Sequence, residues 1–417
     1  MEKKRVVVTG LGALTPLGNN TNDYWTNLIK GVSGADQITR FDASLFKTQF
    51  ACEVKGFDPL DIMDRKEARK LDLFSIFAMA TADEAIKDSN IDLEKINLDR
   101  AGVVWGSGIG GLKTFQEECF NFKDGDGSPR FNPFFIPKMI VDIAAGHISM
   151  KYGLRGPNYV TVSACASSTN ALIDSLMLIQ TGKSDILVSG GSEAAVNIAG
   201  VGGFNALRAL STRNDSPKTA SRPFDATRDG FVLGEGSGCL ILEELEHAKA
   251  RGAKIYAEVG GGGLSADAHH LTAPHPEGHG AMSAMSLCLE DANMKPEDID
   301  YINVHGTSTP LGDVAETAAI KEVFGDHAYQ LNISSTKSMT GHLLGAAGAI
   351  EAIACIKAVQ ENIIPPTINF ETEDENIDYN LNFTLNKAQK REVRAALSNT
   401  FGFGGHNTSL IVKKYNA

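Results

Sequence analysis

Long apolar runs are missing from this sequence. No stretch approaches the roughly 18 uninterrupted apolar residues that a membrane span requires, so no spanning segment is expected. The opening Met1-Glu-Lys-Lys-Arg5 followed by Val6-Val-Val8 has the charge order of a signal peptide. Its apolar run is far too short and breaks at Gly10, so it reads as a first buried strand. Cysteine is sparse and scattered, with six residues at 52, 119, 165, 239, 288 and 355 and no Cys-x-x-Cys pair. That argues against a disulfide framework or zinc site and for a reducing cytoplasm. Positive charge is in deficit: a formal net charge of −12 speaks against general nucleic-acid binding. An acidic partner must therefore meet a local basic patch. Proline is scarce beside glycine, 14 against 42, and the glycines gather at short motifs where backbone turns tightly or approaches a neighbour.

Several segments share one plan: a β-branched apolar run, a Gly/Ser/Thr-rich turn, then an apolar-periodic helix. Val6–Thr9 leads to Gly10-Leu-Gly12, Gly102–Trp105 to Gly106-Ser-Gly-Ile-Gly-Gly111, and Ile186–Val188 to Ser189-Gly-Gly191. Tyr159–Ser163 leads into a helical pattern from Cys165 to about Gln180, ended by Gly182. This alternation predicts a layered α/β fold with buried strands. The second half repeats the plan. Ile255–Val259 runs into Gly260–Gly263, Ser334-Ser-Thr336 precedes a small-residue helix over roughly Gly345–Val359, and Arg394–Leu397 leads to Phe401-Gly-Phe-Gly-Gly405. Two similar halves are expected, 1–253 with the cysteine below and 254–417 with two histidines. Asp58–Lys70 and Gly125–Pro133 read as excursions over the layers.

Cys165 sits in Val162-Ser-Ala-Cys-Ala-Ser-Ser168, where a buried strand meets a helix. A thiol at a helix N-terminus feels the positive end of the dipole, and free N–H groups there stabilise a thiolate. A sharp strand-to-helix turn also presents the side chain outward, as in other nucleophile elbows. Most free cysteines are only small buried hydrophobes. Two histidine motifs favour the reactive alternative: Val304-His-Gly-Thr-Ser-Thr309 after an apolar strand, and Lys337-Ser-Met-Thr-Gly-His342 before the second small-residue helix. Each histidine lies in a turn after a strand, where α/β sheets place working side chains. The histidines of Asp267-Ala-His-His270 and His275–His279 fit no compact zinc spacing and read as a loop near the site, so no metal is expected. The terminal Asn399-Thr-Phe-Gly-Phe-Gly-Gly-His-Asn407 is a Gly-rich turn, either a hairpin with core Phe residues or a loop lending an N–H to an oxyanion.

Together, Cys165 in VSACASS, His305 in HGTSTPLGD, Lys337 and His342 in STKSMTGHLLGAAG, and FGFGGHN resemble the condensing enzymes of type II fatty-acid synthesis. The similarity is greatest to the β-ketoacyl-[acyl-carrier-protein] synthases of type II. It spans essentially the whole chain, including GLGALTPLG at the start and Arg222-Pro-Phe-Asp225. The resemblance implies the thiolase-like fold, two similar halves in a five-layer αβαβα arrangement, working as a homodimer without metal or redox cofactor. It implies that Cys165 takes an acyl group from acyl-carrier protein as a thioester, and that malonyl-carrier protein then decarboxylates to an enolate that attacks the acyl carbonyl. The N–H groups of Cys165 and Phe403 would hold one oxyanion, and His305 and His342, donating from Nε2, the enolate oxygen. Lys337 with Glu351 would lend orientation and charge. Thr272, Thr307 and Thr309 would meet the pantetheine arm, and Ile109, Phe135, Phe204 and Phe403 the acyl chain. Lys66, Arg69 and Lys70, at i, i+3 and i+4 of one helix face, are candidates with Arg130 and Arg208 for docking the acidic carrier.

Other classes fit less well. Gly106-Ser-Gly-Ile-Gly-Gly111 satisfies the dinucleotide pattern G-x-G-x-x-G, but Asn121–Pro129 reads as a loop where a helix and second strand should follow. A non-catalytic chain-length factor would lack the cysteine. A thiolase typically carries a second cysteine near the C-terminal Gly-rich loop, and none follows Cys355. A polyketide ketosynthase shares most of the motifs.

Overall fold

The computed structural model describes residues 3–416. Ten strands form its frame: β1 (Val6–Leu14), β2 (Ala101–Gly106), β3 (Asn158–Thr161), β4 (Ile186–Glu193), β5 (Gly236–Glu244), β6 (Ala257–Ala266), β7 (Tyr301–Asn303), β8 (Asn332–Ser334), β9 (Ala395–Gly402) and β10 (His406–Lys413). Their order across the sheet is β8-β7-β9-β10-β6-β1-β5-β4-β2-β3. Cut between β6 and β1, the sheet falls into two sets of five. Numbered in chain order, each set reads 3-2-4-5-1 from its outer edge, with the same parallel and antiparallel pairings. The sets touch through their first strands, where Val6–Val8 runs antiparallel to Ala257–Val259.

Alternation along the strands makes the layers. Val104, Leu187, Leu240 and Leu242 point to one face, and Val103, Trp105, Val188 and Ile241 to the other. In the second set Tyr301, Ala396, Leu410 and Val412 turn inward, while Ile302, Leu397 and Ile411 turn outward. The two inward faces share one core with α3 (Ser167–Gln180) and α6 (Ala347–Glu361). Nearly every residue of α6 from Ala347 to Val359 is buried, as expected for a helix apolar on all sides. Shortening fully buried Ile353 to Ala there costs about 2–5 kcal/mol. On the outer faces, α1 (Leu73–Ser89) and α2 (Ile143–Tyr152) cover the first set, and α4 (His279–Asp291) and α5 (Pro310–Phe324) the second. The result is the five-layer αβαβα arrangement. No helix among the described residues is long and apolar enough to cross a membrane.

Two local expectations change. Gly10, Gly12, Ser189–Gly191 and Gly260–Gly263 were read as turns, yet β1, β4 and β6 run straight through them. Their glycines serve close packing instead: a Cβ on Gly10 or Gly12 would sit 2.2 or 2.1 Å from the carbonyl oxygens of Ala85 or Thr81 on α1, and one on Gly263 2.0 Å from that of Ala284 on α4. Next, a helix, Leu112–Asp124, does follow Gly106–Gly111, with loop only beyond it. The N–H groups of Gly108, Ile109 and Gly110 are nevertheless taken by the buried Glu193 carboxyl group at 2.8, 3.1 and 3.3 Å, so an internal side chain fills the place a nucleotide phosphate would need. The basic helix spans Arg65–Ala68, capped by Asp64. Arg69 caps its other end in helical conformation with its N–H 3.3 Å from Arg65 O, and Lys70 N–H reaches Glu67 O at 2.9 Å, so the turn runs on through the basic residues.

Candidate active site

Strand β3 ends at Thr161, and the chain turns sharply into α3 through a single 3-10 turn, Ala164–Ala166. Ala164 has φ +51°, a strained value for a residue with a side chain. The Ser167 hydroxyl pins the turn, donating to the Ala164 carbonyl at 2.7 Å and accepting from Ser163 N–H at 3.0 Å. Cys165 thereby reaches the floor of a cavity of about 500 Å³, with Phe401, Gly402 and Phe403 along one wall. Only glycine permits that approach: a Cβ on Gly402 would lie 2.8 Å from Ser163 O and 3.1 Å from Cys165 N.

Both histidines come to the cavity from the second half of the chain. His342 Nε2 stands 3.0 Å from Cys165 Sγ, and the His305 ring lies edge-on to that of His342 with centres 5.3 Å apart. Backbone bonds fix them. His342 N–H donates to Val232 O at 2.7 Å, and His342 O accepts from Gly234 N–H at 2.9 Å. The N–H groups of His305 and Gly306 both donate at 2.8 Å to the buried Glu316 carboxylate on α5, which Asn399 also contacts at 3.2 Å. Phe231 closes on His342 edge-to-face at 5.3 Å. Lys337 and Glu351 form a wholly buried ion pair beneath the site.

Burial dominates the electrostatics. Desolvation first, and the Lys337 charge second, hold His305 and His342 well below the ordinary imidazole range, so both are neutral at pH 7. Burial pushes the Cys165 thiol up to about 11, against the pull of Lys337 and of the N–H groups of Phe403 and Cys165 itself. The helix N-terminus alone led us to expect a stabilised thiolate; desolvation outweighs it, and the resting group is a thiol. Burial likewise raises Glu316 and Glu351 to about 7.

Thr272, Thr307, Thr309, Phe204 and Arg208 also line the cavity. Ile109 packs beside it, in the apolar cluster of Phe204 and Leu344. Phe135 lies off the cavity wall, stacked on Phe115 and Phe131 at 6.3 and 5.6 Å. Lys66, Arg69 and Arg130 are exposed, and Lys70 is half-buried with its ammonium 5.6 Å from the Phe134 ring centre. Segments 65–70 and 130–135 thus adjoin, and Arg208 lines the cavity. Sequence reasoning missed Glu316, Glu193 and Phe231. The one available signal for Glu316 was its i, i+3 spacing from Asp313, which puts two acids on a helix face that turns out to be buried. Among the described residues, one His/Cys/acid group brings three possible metal-ligand atoms within 4.8 Å of one another: His275, Glu277 and His279, by the outer cavity wall.

Comparison with known proteins agrees with this geometry. Residues 3–248 match the family model for the β-ketoacyl synthase N-terminal domain, and residues 256–371 that for the C-terminal domain. The chain is 51% identical to a 3-oxoacyl-[acyl-carrier-protein] synthase 2 of Synechocystis sp. over 100% of its own length and 99% of the relative's. It is 50% identical to the protein of that name from Coxiella burnetii, over 99% of both. Among solved structures it is similar to a chain of a type II polyketide-synthase acyl-carrier protein in complex with its ketosynthase, with a TM-score of 0.90 and 32% identity, covering 99% of this chain and 100% of that one. The chain therefore belongs to the β-ketoacyl synthase family, as a condensing acyltransferase that elongates fatty-acyl chains.

Proposed function

We propose that Cys165, His305 and His342 carry the decarboxylative condensation, in two half-reactions at one thiol. In the first, Cys165 Sγ attacks the thioester carbonyl of an acyl-carrier protein. The thiol proton passes to the departing carrier sulfur, which leaves as a free thiol, while His342 Nε2 stays an N–H donor 3.0 Å from Sγ. The tetrahedral oxyanion is held by the N–H groups of Cys165 and Phe403, both of which already pull on the sulfur. In the second, malonyl-carrier protein loses its carboxylate as CO2. The electrons of the broken C–C bond form an enolate, whose oxygen accepts from the two neutral imidazoles. The enolate carbon attacks the acyl carbonyl, the Cys165 sulfur leaves as a thiolate and takes up one proton from water to return to the resting thiol, and the chain is two carbons longer. The observation that carries this reading is the convergence of one buried thiol, two neutral histidines and two backbone N–H groups at the floor of one cavity.

Thr272, Thr307 and Thr309 on the cavity wall suit the polar atoms of a pantetheine arm, and Phe204, Phe403 and nearby Ile109 an acyl chain. Lys337, whose charge acts on both histidines and the thiol, is a positioning and electrostatic residue, with Glu351 its counter-charge. Lys66, Arg69, Lys70, Arg130 and Arg208 are the proposed landing points for an acidic carrier. The halves divide at 253/254, between the helix Leu245–Ala250 and β6. A homodimer suits the exposed aromatic group of Phe115, Phe122, Phe131 and Phe134 and brings Phe135 into play as a lining residue. Six free cysteines suit a reducing cytoplasm.

Intact-protein mass spectrometry after incubation with a long-chain acyl-carrier protein tests the core of this reading. One acyl adduct in the wild type and none in Cys165→Ala supports it. No adduct on folded wild-type protein sinks it.

A further inference from the structure

The segment from Asp267 to His279 borders the cavity, contributing Thr272, Ala273, Pro274 and His275 to its wall. Asp267 anchors its base, accepting from Asn407 Nδ2 at 2.8 Å and from His275 N–H at 3.3 Å. The chain then folds back so that side chains four residues apart converge. We propose that His275, Glu277 and His279 bind a divalent transition-metal ion, zinc in the first instance, at the rim of the catalytic cavity.

Each of the three offers a ligand atom, and these atoms lie within 4.8 Å of one another. The His275 and His279 ring centres are 4.6 Å apart, and His269 stands 5.0 Å from His275 on the other side, so a further imidazole is at hand. Two imidazoles and one carboxylate suit zinc and leave a fourth position for water or an incoming ligand. Glu277 forms no ion pair with lysine or arginine among the described residues; its carboxylate lies 2.7 Å from His279 Nε2. A metal ion replaces that contact and the long 3.2 Å bond from Glu277 N–H to His275 Nδ1. The positive end of α4, which His279 opens, opposes a cation, and the Glu277 charge offsets it. Spacing along the sequence concealed the group because the loop, not a helix or strand, brings the donors together.

Such an ion ties the loop bearing Thr272 to the start of α4 and narrows the way in. That consequence rests on the proposed condensation; the binding itself does not. The test is calorimetric titration of the full-length protein with Zn2+ alone, alongside His279→Ala, Glu277→Gln and Cys165→Ser. The expected result is one ion per chain, bound more than about tenfold more weakly by both loop variants and unchanged by Cys165→Ser. No binding by the wild type, or binding lost in Cys165→Ser and kept in His279→Ala, overturns the site. For the rim effect, Zn2+ should raise KM for the carrier thioester in wild type and not in His279→Ala. Equal inhibition of both removes that consequence and leaves the binding result standing.

Discussion

Ala164 and Leu344 hold the same place in the two halves. Each has a positive φ, +51° and +48°, and each opens a three-residue 3-10 turn into a central helix, Ala164–Ala166 before α3 and Leu344–Ala346 before α6. The residue that follows differs. In the first half it is Cys165, facing the cavity with two N–H groups drawn to its sulfur. In the second it is Gly345, whose N–H donates at 3.0 Å to Glu193, and a Cβ there would lie 2.3 Å from Gly108 N. One duplicated turn keeps its anion-binding capacity open to a substrate. The other has it filled by an internal carboxyl group that also gathers Ser107 and the Gly108–Gly110 backbone. The second half supplies its chemistry from elsewhere, through His342 at the thiol of the first half and His305 beside it.

The comparison breaks most sharply at the open turn. Cys165→Ala should abolish the acyl adduct and lower condensation on the order of 10⁴-fold or more, with folding intact, as mass spectrometry and a steady-state assay would show. Removing either histidine, as His305→Ala or His342→Ala, should cost about 2.7–4 kcal/mol in the decarboxylation barrier, or roughly 10²–10³ in rate. Acylation of Cys165 should survive His305→Ala, and its loss there would contradict the division of labour between the halves. At the filled turn the effect should fall on stability. Glu193→Ala leaves buried N–H groups without an acceptor and should lower unfolding free energy by about 3 kcal/mol, read from the urea midpoint, while protein that remains folded still acylates.

The layers were legible because β-branched apolar runs alternate along the chain with apolar-periodic or small-residue helices, signals that local sequence carries by itself. The glycines of β1, β4 and β6 misled because a glycine needed for turning and one needed for close packing look identical until the neighbouring helix is placed. At the site, Cys165, His305 and His342 stood out through their motifs. Glu316 and Glu193 did not, because their partners are backbone N–H groups, which leave no mark in the sequence. Lys66, Arg69 and Lys70 stood out by spacing, but not that the regular helix carrying them ends at Ala68 with Arg69 as its cap. The depth of the cavity was equally illegible, and it reverses the expected charge state of the nucleophile.

That reversal can be measured. A thiol raised to about 11 by burial is almost wholly protonated at pH 7. Its alkylation by a small neutral reagent should therefore climb about tenfold per pH unit and level off only near pH 11. If Cys165 and His342 instead shared a proton as an ion pair, thiolate would already be present near neutrality and the profile would flatten there. Two features oppose the pair: burial, and the Lys337 charge that disfavours a second cation on His342. Lys337→Met tests the balance, since removing that charge should move the thiol higher still and slow alkylation at every pH below the plateau. Exposed Cys119 serves as the internal control, because its rate should not respond to Lys337 at all. A profile that Lys337→Met leaves untouched would mean that the N–H groups of Cys165 and Phe403, without help from the Lys337 charge, set the reactivity of Cys165.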